Sequence, residues 1–121
     1  MKTAVALKSP VKPEVGELAS YLVEHLGLDV TAYLAGVESE PGIVDRWISG
    51  EVDAGPVVVE RFRFAYDVVR PIVEAYDGET AQAWLFGMKE WLNNEAPVSV
   101  LRDRPESWVP LVQAAEAFAE L

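Results

Sequence analysis

The sequence predicts an all-α fold, and three observations carry that expectation. Apolar residues recur at steps of three and four along most of the chain, the spacing that places them on one face of a helix. Glycines and prolines fall singly between these stretches, where they stop and start helices. No pair of alternating apolar runs is joined by a hairpin turn, so a sheet has no sequence signature. The 121 residues, half of them apolar and a quarter charged, suit one globular domain whose core removes roughly two-thirds of the unfolded surface from water.

Each element follows from its own spacing. Val15, Leu18, Leu22 and Leu26 define a first helix that Gly27 stops. Asp29 is the expected N-cap of a short helix running to Ala35 and ended by Gly36, because its carboxylate can accept from an orphan helix amide. Pro41 suits the first turn of a third helix carrying Ile43, Val44, Trp47 and Ile48 and stopping at Gly50. From Pro56, the residues Val58, Phe62, Ala65, Val69, Ile72 and Tyr76 form one long apolar stripe. Pro71 lies inside it and is expected to kink or divide the helix, since proline removes a donor and crowds the preceding turn. Asp77-Gly78 ends the stripe, and residues 79–86 form a short helix with Ala81, Trp84 and Leu85 inward. Residues 89–97 read as irregular around the turn-prone Asn93-Asn94. Pro97 opens a short helix with Val98, Val100 and Leu101, and Asp103-Arg104-Pro105 turns the chain. Ser107 is the expected N-cap of a last helix marked by Leu111, Ala114, Ala115 and Phe118.

Composition narrows the chemistry. There is no cysteine and one histidine, His25, so no thiolate site and little acid–base inventory are expected. Phosphate-cradling glycine loops, HExxH and GxSxG are absent from the sequence. His25 beside Leu22 and Leu26 reads as a rim residue of a core helix, and Glu116 with Glu120 reads as a solvated face. The expectation is a non-enzyme with no cofactor and no metal. Twenty acids oppose ten bases, and residues 14–121 hold all the acids with only seven bases, a net charge of −13. Such a field repels nucleic acid and suits a basic or mixed partner. No apolar run reaches bilayer length and no leader-like stretch opens the chain, which leads to the expectation of a cytoplasmic protein without a membrane partner.

Two constellations stand out. Leu34-Ala35-Gly36-Val37, then Ile43-Val44 and Trp47, then Gly50-Glu51, have the pattern of a helix-turn-helix, or of an ordinary αα-hairpin. Residues 36–60 hold six acids against Arg46 alone, which opposes groove binding; Lys8, Lys12, Ser39 and Arg46 are the candidate DNA contacts. The second is the cluster Trp84-Leu85-Phe86, Trp91-Leu92, Pro97, Leu101 and Trp108. Tryptophans of this kind serve either as interface anchors or as plugs of a small core.

Taken in order, the helix-turn-helix pattern, Arg61-Phe62-Arg63-Phe64-Ala65-Tyr66, Ala83-Trp84-Leu85, Trp91-Leu92, Ala96-Pro97, Val100-Leu101-Arg102-Asp103 and a final Ala/Glu-rich helix resemble the Xre/MbcA/ParS antitoxin family, from about Leu18 to Leu121. The resemblance implies an Xre-like helix-turn-helix module followed by a small helical toxin-binding domain. In this chain that means a basic arm at residues 1–13, the module with its long connecting helix at 14–76, and the toxin-binding domain at 77–121. It further implies the antitoxin of a type II toxin–antitoxin pair, which covers the active-site entrance of a RES-domain, NAD-degrading toxin and binds its own promoter. Carried over, the toxin surface comprises Trp84, Leu85, Trp91, Leu92, Pro97, Leu101, Phe118 and Leu121, and the assemblies are a homo-oligomer and a hetero-oligomer with the toxin. The alternative is a homodimeric helix-turn-helix transcriptional regulator.

Overall fold

The computed structural model describes residues 14–121, and helical apolar spacing becomes helix over most of that length. Lys8 and Lys12 lie outside the described residues. The helices are α1 (Val15–Leu26), α2 (Leu28–Ala35), α3 (Gly42–Ser49), α4 (Pro56–Ala75), α5 (Gly78–Phe86), α6 (Pro97–Asp103) and α7 (Trp108–Ala119), with 3-10 turns at Glu90–Leu92 and Pro105–Ser107. No strand occurs among the described residues; Lys89 and Glu95 form an isolated bridge. The fold is all-α. No helix among the described residues is long and apolar enough to cross a membrane.

Local chemistry accounts for most boundaries and corrects three. The α1–α2 corner is made by Gly27 alone, at φ 92°, a conformation that a side chain would strain. Thr31 bonds the Gly27 carbonyl twice, through its amide at 3.2 Å and its hydroxyl at 2.8 Å. Helix α2 therefore starts two residues earlier than expected, and Asp29 lies in its first turn instead of capping it, where its charge still favours the positive helix end. Ser107 precedes α7 without any side-chain capping bond.

Pro71 does not divide α4, which runs unbroken for 20 residues. Val68, Val69 and Ile72 on either side of it are fully buried. Burying each such side chain is worth about 1.5–3 kcal/mol, enough together to offset the roughly 3 kcal/mol penalty of an interior proline.

Asp77 also has a different role from the one expected. It is the N-cap of α5, its carboxylate accepting from the Thr80 amide at 2.7 Å. That hydrogen bonding to Thr80 holds the Asp77 carboxyl below its ordinary value of 3.8. The folded state thus prefers the ionised form: its contribution is complete above the ordinary value and is lost as pH falls through the depressed one. Asn at this position keeps a capping oxygen without titrating. In thermal melts of the parent and Asp77→Asn at a series of pH values, the difference in Tm is expected to stay constant above about pH 5 and to shift in the variant's favour below the ordinary carboxylate range.

Helix α4 is the hub of the packing, in contact with α1, α2, α5, α6 and α7. Phe64 meets Trp108 at 4.8 Å and Tyr76 meets Phe118 at 5.6 Å between ring centroids, so α4 and α7 run parallel. Two glycines permit the closest approaches. A Cβ at Gly16 would stand 3.2 Å from the Trp47 and Ile48 carbonyls, and one at Gly78 would stand 2.9 Å from the His25 carbonyl. Gln82 donates to that same carbonyl at 3.0 Å, clamping α5 onto the end of α1. One hydrophobic cluster runs from Leu18 through Phe62 to Ala115. The junction at residues 76–77 is therefore a turn within a shared core, and the expected segments 14–76 and 77–121 do not have separate cores.

Candidate partner-binding surface

The segment after α5 is built to turn one side chain in and its neighbours out. Gly87 ends α5, its amide bonding the Ala83 carbonyl at 3.1 Å. The chain then closes a small loop: Lys89 donates to Glu95 at 3.2 Å and Asn94 to Lys89 at 2.9 Å. Asn93 and Asn94 make the turn at φ 57° and 63°, the left-handed region that Asn tolerates better than most residues. Leu92 plugs the core beneath, while Trp91 on the same 3-10 turn is 52% exposed. Phe86 and Met88 are likewise exposed, at 52% and 75%. Three large apolar side chains within six residues thus face solvent, while Trp84, Leu85 and Leu92 of the same stretch are buried.

The eight residues expected to contact a partner divide sharply. Leu85 and Leu101 are fully buried, and Trp84, Leu92 and Pro97 are buried as well. They are core residues: α5 and α6, which carry Trp84, Leu85, Pro97 and Leu101, pack on α4, and Leu92 joins the same core from its 3-10 turn; as direct contacts they are corrected. Phe118 is half-buried between Tyr76 and Trp84, 6.2 Å from the latter. Trp91 is accessible. Leu121 is 91% exposed, its amide donating to the Phe118 carbonyl at 3.1 Å. Spacing on these short segments missed Phe86 and Met88 as exposed members, since it cannot tell which side of a half-turn faces out.

Charge around this surface is asymmetric. Lys89 lies over the Trp84 ring, 5.1 Å from its centroid. Arg104 pairs with Glu95 at 2.9 Å, and Arg102 pairs with Glu38 at 3.0 Å while stacking on Tyr33 at 4.5 Å. Both arginines are thus paired with carboxylates, whereas Lys89, Asp29 and Glu90 have no ion pair among the described residues.

Helix α2 ends at Gly36, φ 80°, before the turn to α3, with the Arg61 guanidinium donating to the Ala35 carbonyl at 3.1 Å. Val44 and Trp47 face the core. The outer side of α3 shows Asp45, Arg46 and Ser49, and Ser39 is exposed in the preceding loop. Arg46 approaches Glu51 at 4.0 Å. That outer face offers one cation already near a carboxylate, which is little for a phosphate backbone.

His25 sits in an aromatic patch with Tyr21 at 4.4 Å, and Tyr21 meets Tyr66 at 5.0 Å. Partial burial, followed by the neighbouring Tyr66 and Glu74, pushes the Tyr21 phenol up from its usual value. Among the described residues no group of three or more His, Cys, Asp or Glu side chains is arranged to hold a metal ion. No family model, no curated protein and no solved structure matches this chain.

Proposed function

We propose that the chain is the antitoxin of a type II toxin–antitoxin pair, acting in the cytoplasm by binding a RES-domain, NAD-degrading toxin and covering its active-site entrance. One observation supports this reading above others: Phe86 at the end of α5, Met88 and Trp91 are all exposed, Trp91 on a loop pinned by its own hydrogen bonds. Rigid aromatic groups presented this way are what a protein interface uses as anchors. The acidic field, −13 over residues 14–121, favours approach to a protein that holds an anionic dinucleotide on basic groups. The ordered sequence pattern through Trp91-Leu92, Ala96-Pro97 and Leu101-Arg102-Asp103 adds the resemblance to the antitoxin family.

The test is calorimetric titration into a catalytically inactive RES-domain protein encoded beside this chain, with NAD loss followed on the active form. Binding that halts NAD loss is the expected result. The double variant Phe86→Ala, Trp91→Ala should weaken binding by about 2 kcal/mol or more with an unchanged circular dichroism spectrum, since both side chains are half exposed. Undiminished NAD consumption at saturating protein would overturn the reading. A second reading, a homodimeric DNA-binding regulator, draws on the α2–Gly36–α3 arrangement. It requires salt-dependent operator binding that Arg46→Ala abolishes.

A further inference from the structure

Beside the exposed loop lies an apolar groove of about 390 Å³, formed where α2, the end of α5 and the start of α6 meet. Val30, Tyr33, Phe86, Ala96 and Val98 line it, with Asp29 as its charged member. From Phe86 the apolar surface continues along the chain to Met88 and Trp91. We propose that this groove is the docking site of a basic amphipathic helix of a partner protein, its apolar residues seated between Val30 and Phe86 and its cations meeting Asp29. The inference goes beyond the antitoxin reading, since it specifies the chemistry of the docked segment whatever activity the partner has.

Shape and charge both select this occupant. A volume near the lower end of small-molecule sites, about 300–1,000 Å³, combined with an open lining and an apolar extension outside it, suits side chains projecting from a helix better than an enclosed ligand. Tyr33 is held in place by Arg102 over its ring at 4.5 Å and by its hydroxyl 3.4 Å from the Ser99 oxygen, so one wall is preformed. Arg102 and Arg104 are paired with Glu38 and Glu95, so Asp29 in the lining and the net −13 of residues 14–121 set the field. An acidic segment would meet repulsion there, as would a second copy of this acidic chain.

The probe is a short amphipathic helical peptide of leucine and lysine, titrated into the isotope-labelled protein and followed by amide shifts. Shifts confined to Val30, Tyr33, Phe86 and Ser99 are expected, with affinity falling as salt rises. Phe86→Ala and Asp29→Asn should each weaken binding about tenfold, whereas Val109→Ala, at an exposed site on α7, should leave it unchanged. A leucine–glutamate peptide that binds equally well, or equal losses at Val109, would overturn the proposal. So would a concentration-dependent dimer that Phe86→Ala dissociates, which would assign the groove to a second copy. Because the probe contains no toxin, failure here is separable from failure of the NAD assay.

Discussion

Replacing Phe62 with alanine is expected to destabilise the whole chain by about 3–5 kcal/mol, a large part of the ~5–15 kcal/mol that holds a typical domain together. Phe62 is fully buried on α4 and meets the Trp47 ring edge-on, with centroids 5.9 Å apart. Its loss removes buried aromatic area and leaves a cavity where α4 faces the α1–α3 end of the core, which rigid helices fill only in part. Because residues on both sides of the 76–77 turn share that core, the damage is not confined to the N-terminal half. Urea denaturation followed by circular dichroism should show a single transition, its midpoint lowered by roughly 2 M given slopes of about 1–3 kcal/mol/M. Two separated transitions, with only the earlier one moved, would show that the halves unfold independently.

Trp108→Ala is expected to cost a similar ~3–5 kcal/mol, through two contributions that a second variant separates. The indole is buried, packs at 4.8 Å on Phe64, and donates to the carbonyls of Val100 at 3.1 Å and Leu101 at 3.0 Å. Both carbonyls lie in the last turn of α6; that of Val100 also accepts from the Arg104 amide at 2.8 Å, whereas that of Leu101 is one of the terminal carbonyls that lack an intrahelical partner. Trp108→Phe keeps most of the apolar contact and removes the donor, so it should cost about 1–3 kcal/mol, the penalty of leaving the buried Leu101 acceptor unmade. Hydrogen exchange provides the check: in Trp108→Phe, amides of α6 and the first turn of α7 should exchange faster, with those of α1 following only the global change in stability. Equal losses in the two variants would mean that the hydrogen bonds carry the whole effect.

Helix positions were legible because a 3.6-residue period and single glycines are local signals. Val15 to Leu26 with its glycine stop, the α4 stripe and the two Asn residues of the 93–94 turn all express preferences that neighbouring residues suffice to set. Two departures are local, the Gly27 start of α2 and the Asp77 cap of α5, and others depend on distant groups. The unbroken passage of α4 through Pro71 depends on what buries Val68, Val69 and Ile72, and the shared core across residue 76 depends on α5 lying against α1. The candidate surface was half legible: the sequence marks residues 84–101 as rich in anchor types, but Leu92 goes in and Trp91 goes out, and adjacent residues on an irregular turn carry no period that tells them apart.

The chain's own order of residues therefore determined the all-α class, most helix boundaries and the acidic field, since each depends on backbone propensity, short-range spacing or simple charge counting. Only the tertiary structure decided which aromatic residues were spent on the core, where the apolar groove opened, and how three helix ends were completed. The carbonyls ending α1, α2 and α6 are met by Gln82, Arg61 and Trp108, donors contributed by other helices. Orphan carbonyls must be satisfied once water is excluded, but which side chain satisfies them is set by how helices stack, and that is a property of the packed chain.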